Sequence, residues 1–463
     1  MTQQREHWGS RLGFIMATAG SAIGLGSLWR FPYIVGQNGG GAFVLLYLIF
    51  TFGIGIPIFI AELIIGRSSQ KSAIKAFTEL APKSNHWKIL GWFNILTSFI
   101  ILSYYSVISG WTVNYALMSL VQFYKGKTPE QISNIFDILS SSSDINLFWH
   151  FIFMLMTVGV VFKGIRKGIE YWSRILTPAL LVILIGLFLF STTLSGFKES
   201  VEFILLPNFS SLTSSGVLDA LGMALFTISV GIGIVLTYGS YMKPSEDIPK
   251  TGLIIGTVSV SVSLFAALMI FPIIFSFGFE PQAGPGLVFK TLPVLFAQLP
   301  GSLVISTIFF ILFVFTALTS SISLLEVLSA NLIEVFGWKR AKAVSIAGLA
   351  TFVMGIPTAL ASSGALFGNW IKIYGMNFFD TINEISGSWM MPLGGLFTII
   401  FAGWFMEKKL VQSEFTNGTT LKRLLKPWFF TIRYVAPLAV LIVILQRSEI
   451  IDLTVILDKL FTK

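Results

Sequence analysis

The chain predicts an all-α polytopic membrane protein, with eleven transmembrane helices arranged as a 5+5 inverted repeat and with helices 1 and 6 broken. Three observations carry this. Of 463 residues, 54% are hydrophobic and 11% charged, against about 25% charged in a soluble domain. Apolar runs long enough to cross about 30 Å of hydrocarbon fall near residues 10–35, 41–66, 89–122, 147–162, 171–193, 218–242, 252–278, 302–333, 343–361, 377–405 and 428–446. Glycines and small polar residues cluster inside the first run (Gly20, Ser21, Gly24, Gly26, Ser27) and again inside the sixth (Thr227, Ser229, Gly231, Gly233), five spans later. Corresponding interruptions in two halves point to an inverted repeat. The reading is a single transmembrane domain over 1–446. Spans 1 to 5 (1–195) form the first repeat, spans 6 to 10 (218–406) the second, span 11 covers 428–446, and 447–463 is a short tail too acidic and too short to cross.

Charge sets the orientation. Most of the 31 Lys and Arg, among them Arg67, Lys71, Lys75, Lys163, Arg166, Lys167, Lys339, Arg340, Lys408 and Lys409, fall in loops that share one side. By the positive-inside rule that side and the N-terminus are cytoplasmic, and eleven spans put the C-terminus outside. Topology accounts for the net charge of +9, so nucleic acid is not expected as a partner. The longer segments Tyr124 to Asn146, Gly196 to Val217 and Phe279 to Pro300 read as outer loops. The charged start MTQQREHW and the polar first span argue against a cleaved signal peptide. The chain has no cysteine, and its histidines, His7, His86 and His150, have no metal-ligand spacing. An enzyme is not expected.

Within Gly20 to Tyr33, GSAIGLGSLWRFPY, glycines weaken the helix, Pro32 removes a backbone donor, and Arg30 costs about 2.5–3.5 kcal/mol at a lipid-exposed helix centre. These residues belong beside a polar cavity. Glycines alone read more readily as close helix packing than as a site; Arg30 and the second break favour a binding site. Unwound carbonyls coordinate small cations and helix N-termini attract anions, so two facing breaks suit a zwitterion together with sodium. Hydroxyls within Thr319 to Ser323 read equally as ligands or as back-bonded to their own helix. Glu62 and Glu326 are read as partners of broken-helix backbone rather than as ion-path groups.

REHWGSRLGFIMATAGSAIGLGSLWRFPYIVGQNGGGAF (Arg5 to Phe43), LFTISVGIG (Leu225 to Gly233), TALTSSISLLE (Thr316 to Glu326) and KGIEYWSRILTP (Lys167 to Pro178) together resemble the neurotransmitter:sodium symporter family, especially its bacterial sodium-coupled amino-acid transporters. The match runs through nearly the whole chain. It implies a symporter in the cell membrane, with a bacterial inner membrane expected, importing a neutral, hydrophobic amino acid, aliphatic or aromatic, by alternating access. The alternatives are an amino-acid sensor of the same fold, a channel, and an intramembrane enzyme, for which no catalytic dyad is found. The partners implied are the amino acid and the bilayer, with a homodimer left open.

Carried over by position, the resemblance implies a substrate pocket of Ser21, Ala22, Leu25, Gly26, Ile101, Tyr105, Phe226, Thr227, Ser229, Ile232, Ser320 and Leu324. Gly24 stands where monoamine carriers have Asp, which favours an amino acid. One sodium site would use main-chain oxygens of Gly20, Ile23 and Thr316 with the hydroxyls of Thr319 and Ser320. A second would use Ala22, Ser27, Thr227 and Ser259, although the family commonly has Asn at 27 and 259. Chloride is implied at Tyr47, Thr227, Ser259 and Ser263, with Met223 where Gln is expected. The outer gate would comprise Arg30, Phe226, Tyr105 and Asp380. Asn383 replaces the usual acid, so Asp380 or Glu384 is expected to compensate, or Arg30 to close by neutral hydrogen bonds. The inner gate would be Arg5, Trp8, Tyr241 and Glu334, and Gly168 with Pro178 a hinge in the fifth span.

Overall fold

The computed structural model describes residues 6–278, 286–361 and 363–448; Arg5 and nearly all of the tail lie outside them. Every regular element among the described residues is helical. Among the described residues nine helices are long and apolar enough to cross a membrane: Gly41–Ser69, Asn85–Leu120, Ser143–Phe162, Ile165–Ser191, Ile248–Ser276, Ser302–Phe336, Arg340–Ala361, Phe378–Phe405 and Lys422–Arg447. Arg11–Ala22 and Gly26–Gln37 form one further span, bent by 54°. Ser214–Thr227 and Ile234–Gly239 are two short helices in line with the sixth predicted span, interrupted at Ile228 to Gly233. With that pair the arrangement is consistent with eleven spans, two of them broken as expected.

The third and eighth spans pack along their lengths, and both carry buried small polar residues. Ser103, Ser109 and Thr112 on one, and Ser321, Ser323 and Ser329 on the other, are buried and donate to carbonyls of their own helices. The backbones can therefore approach without leaving a polar atom unpaired. Large apolar side chains such as Leu155, Val182, Leu189 and Leu349 point outward instead, as a lipid-facing surface requires.

Prolines shape the spans. Pro32, Pro57, Pro293, Pro392 and Pro437 each stand two residues after a wide, π-helical turn. A proline cannot donate, and its ring presses on the carbonyl four residues back; the wide turn moves that carbonyl aside and keeps the span continuous. Composition did not reveal these turns. All three segments expected to be loops carry helices among their described residues, Pro129–Ser141, Phe197–Leu205 and Leu287–Phe296. The first has a reciprocal cap between Thr128 and Gln131 and a proline at its first position, a sequence signal that the loop reading passed over.

Gly231 has φ 83°, and a β-carbon there would run into the Met391 carbonyl of the tenth span; one at Gly394 would run into the Gly231 carbonyl. Glycine is what lets these backbones touch. Gly231→Ala is expected to lower stability by at least about 1–3 kcal/mol, read as a fall in Tm of the detergent-purified protein.

Candidate functional site

The two interruptions are held by side chains of neighbouring spans. The Glu62 carboxylate of the second span accepts from the Gly231 N–H at 2.6 Å. Ser98 of the third span donates to the Ile232 carbonyl at 2.6 Å. From the eighth span, Ser320 donates to the Ser21 carbonyl at 3.2 Å, and the Ser323 and Ser21 hydroxyls lie 2.6 Å apart. The expected partnership of Glu62 with broken-helix backbone is therefore present. For Glu326 the structure corrects the expectation: it accepts from the Tyr241 hydroxyl at 2.7 Å and pairs with Arg340 at 2.5 Å, because Arg340 at the start of the ninth span reaches it. Ser229 adopts φ 54°, a left-handed conformation rare outside glycine that is kept where surrounding structure holds it.

Between the interruptions lies a cavity of about 230 Å³, and all twelve residues expected to line a substrate pocket face it. Its polar end is broken backbone and Tyr105, whose hydroxyl accepts from the Leu25 N–H at 3.4 Å. Leu25, Ile101, Phe226, Ile232 and Leu324 make the other end apolar. Tyr104, Ile108, Phe379 and Met391 also line it; they sit on regular helix, where nothing in the local pattern separates them from core residues. The geometry around Gly24 and Gly26 differs. A β-carbon at 26 would run into the Phe226 ring, whereas one at 24 would meet nothing nearer than the Ser320 hydroxyl at 3.4 Å.

Gly20 faces Thr319, to whose Cβ an added β-carbon would come within 3.3 Å, and also the Thr177 hydroxyl. Thr319 donates to the Phe315 and Thr316 carbonyls at 3.1 and 3.0 Å, so back-bonding does occur. It also leaves the hydroxyl's lone pairs outward, where a cation could use them. The hydroxyls of Ser27 and Ser259 are buried and make no hydrogen bond among the described residues, and the seventh span packs on the turn Gly26–Arg30. Unpaired buried oxygens suit a small hard cation. Thr227 donates to the Met223 carbonyl at 2.8 Å. Beside it the Tyr47 hydroxyl reaches Ser263 at 3.5 Å, and Ser263 donates to the Ser259 carbonyl at 3.2 Å.

Arg30 stacks on Phe226 with its guanidinium carbon 4.8 Å from the ring centroid. Neither expected acid reaches it. Asp380 accepts from the Asn377 amide at 2.6 Å as part of a helix cap, and Glu384 pairs with Arg447 at 2.8 Å. A cation–π contact thus stands where a salt bridge or neutral hydrogen bonds were expected. At the other face Trp8 is buried, donates through its indole N–H to the Tyr238 carbonyl at 3.0 Å, and stacks edge-on against Tyr241. Glu334 accepts from the backbone and hydroxyl of Ser72 at 2.9 and 2.6 Å.

The sequence reading missed a pair of caps on the same face. Glu170 of the fifth span accepts from Gly9 N–H at 2.6 Å and Ser10 hydroxyl at 2.8 Å, while Glu6 accepts from Ile165 N–H at 2.7 Å. Gly168 lies in a wide turn, Ile165–Glu170, with Pro178 inside the helix that follows.

A cavity between two interrupted membrane helices, with the Arg30–Phe226 stack on one side and a tethered N-terminal segment on the other, is the arrangement of a carrier that moves small molecules across the bilayer. The profile of the sodium:neurotransmitter symporter family matches residues 5–132 and 122–454, and the chain belongs to that family, whose members are transporters rather than enzymes. It is 39% identical over 454 residues to a protein of Bacillus subtilis named as the uncharacterized sodium-dependent transporter YhdH, covering 98% of this chain and 100% of that one. The sodium-dependent dopamine transporter of Caenorhabditis elegans is 27% identical across 80% of this chain and 70% of its own. The crystal structure of MhsT in complex with L-phenylalanine superposes with a TM-score of 0.87 at 38% identity, over 95% of this chain and 99% of that one.

Ser98→Ala takes away the hydroxyl that bonds the buried Ile232 carbonyl. The expected cost is about 1–3 kcal/mol, seen as a lower Tm in detergent with the helical circular dichroism retained.

Proposed function

We propose that this protein uses the inward sodium gradient to import a neutral, hydrophobic amino acid, aliphatic or aromatic. The observation that carries this is the two-ended cavity: broken backbone and the Tyr105 hydroxyl at one end for a carboxylate and an ammonium, and an apolar end for a side chain. Burial of apolar surface at about 25 cal/mol per Å² supplies the preference for hydrophobic side chains. Gly24 leaves the polar end without an acid, which disfavours amines lacking a carboxylate. The L-phenylalanine held by MhsT supports the aromatic part of the range.

In the mechanism, sodium is a co-substrate. At the first site it would be held by main-chain oxygens of Gly20, Ile23 and Thr316 and by the Thr319 and Ser320 hydroxyls, tying span 1 to span 8. At the second, Ala22, Ser27, Thr227 and Ser259 would hold it beside the substrate carboxylate. Sodium must bind one conformation more tightly than the other to drive transport. The first repeat (1–195) would rock against the second (218–406), with span 11 (428–446) outside both and the N-terminus cytoplasmic. Phe226, Arg30 and Tyr105 would close the outer face. Trp8, Tyr241 and Glu334, with Arg5, would close the inner one. Tyr47, Thr227, Ser259 and Ser263 offer hydroxyls to an anion, and chloride is the one we propose.

Uptake of a panel of radiolabelled amino acids into proteoliposomes tests this, with an inward sodium gradient, with matched potassium, and with gluconate replacing chloride. Accumulation of an apolar amino acid only under the sodium gradient is expected, together with slower uptake in gluconate. Binding without accumulation would sink the symport reading in favour of a sensor. Thr319→Ala is expected to raise the sodium concentration for half-maximal uptake about tenfold, the equivalent of losing about 1.4 kcal/mol. The two glycines should separate in equilibrium binding: Gly26→Ala, which displaces Phe226, is expected to weaken amino-acid binding at least about tenfold, and Gly24→Ala by only a few-fold.

A further inference from the structure

We infer that Arg447, at the end of the eleventh span, is a positioning residue for outer closure: by bridging Glu384 of the tenth span and Asp219 of the sixth, it ties the helix that carries Phe226 to the tenth helix beside it. Its guanidinium lies 2.8 Å from Glu384 and 3.9 Å from Asp219. No carboxylate among the described residues lies within ion-pair distance of Arg30, although Glu384 and Asp219 are both in its electrostatic neighbourhood. The acids near Arg30 are thus engaged elsewhere, Glu384 with Arg447, Asp219 with Arg447 and Asn38, and Asp380 with Asn377. This rests on the reading of the cavity as the transport site.

The placement is specific. Asp219 stands two helical turns before Phe226 and on the same helix face. Glu384 stands one turn before Gly387, where an added β-carbon would lie 3.6 Å from Arg30 and 3.9 Å from Phe226. Arg447 therefore clamps the sixth and tenth spans one to two turns beyond the stacked pair. The three side chains are between 29% and 41% exposed. Such a pair adds little to the stability of a single fold, yet the same energy displaces a balanced two-state equilibrium several-fold. The clamp is suited to biasing a conformational change and contributes little to holding the protein folded.

The absence of cysteine supplies the test. In the Tyr33→Cys protein, whose single thiol would sit at the cavity mouth, the rate of modification by a membrane-impermeant thiol reagent reports outer opening without needing a substrate. Arg447→Gln and Glu384→Gln are each expected to raise that rate about two- to five-fold, with Tm nearly unchanged. The double variant should match the singles, Arg447→Lys should restore part of the slow rate, and Asp219→Asn should give a smaller increase. An unchanged rate in Arg447→Gln, or effects that multiply in the double variant, would overturn the proposal. With Arg447 intact, sodium is expected to alter the labelling rate. No sodium effect would sink the transport-site reading and this proposal with it; a sodium effect alongside an unchanged Arg447→Gln rate would sink the proposal alone.

Discussion

The architecture depends on satisfying backbone groups where a helix stops inside hydrocarbon. An unpaired N–H or carbonyl there costs several kcal/mol, so an interrupted span needs neighbours that arrive with the right atoms. Glu62, Ser98, Ser320 and Ser323 are those neighbours, from the second, third and eighth spans. Because each is anchored in an unbroken helix, the interruptions are fixed in position, and the groups left over point into the cavity. The buried hydroxyls of spans 3 and 8 provide the scaffold, and those of Thr319 and Ser320 supply oxygens to the sodium site we propose.

Much of this was legible in the chain. The spans follow from hydrophobic length, and the cavity follows from two glycine clusters five spans apart, because only backbone without bulky side chains can unwind beside a ligand. The pocket positions taken from the family resemblance converge on one cavity, since the two breaks face each other and the residues flanking them share the space between. The Glu62 contact was legible too, as a buried acid needs a donor and broken backbone offers one.

Other features depend on which of several equivalent partners wins, and composition is silent on that. Asp219, Asp380 and Glu384 were all available to Arg30, but an arginine at the far end of the chain and an asparagine three residues from Asp380 took them. Glu326 was equally able to meet backbone or Arg340. The wide turns before the prolines escaped for a different reason: periodicity counts residues per turn over a window, and a single extra residue in one turn scarcely alters it. The outer helices Pro129–Ser141 and Phe197–Leu205 were hidden by their polar residues despite the cap at Thr128, and the apolar Leu287–Phe296 by being too short to cross.

The exchange of caps at the N-terminal face has a consequence for cooperativity. Glu6 closes the start of the fifth span, and Glu170 holds the Ser10 hydroxyl that caps the first, so each helix start depends on a carboxylate carried on the other segment. Withdrawing the N-terminal segment leaves the Ile165 N–H without its acceptor and parts the Ser10 cap from Glu170 in the same movement. The fifth helix would lose its cap next to a wide turn and an internal proline, where its hydrogen bonding is already thinnest. The two ends therefore form one cooperative unit, and fraying of either carries the other with it.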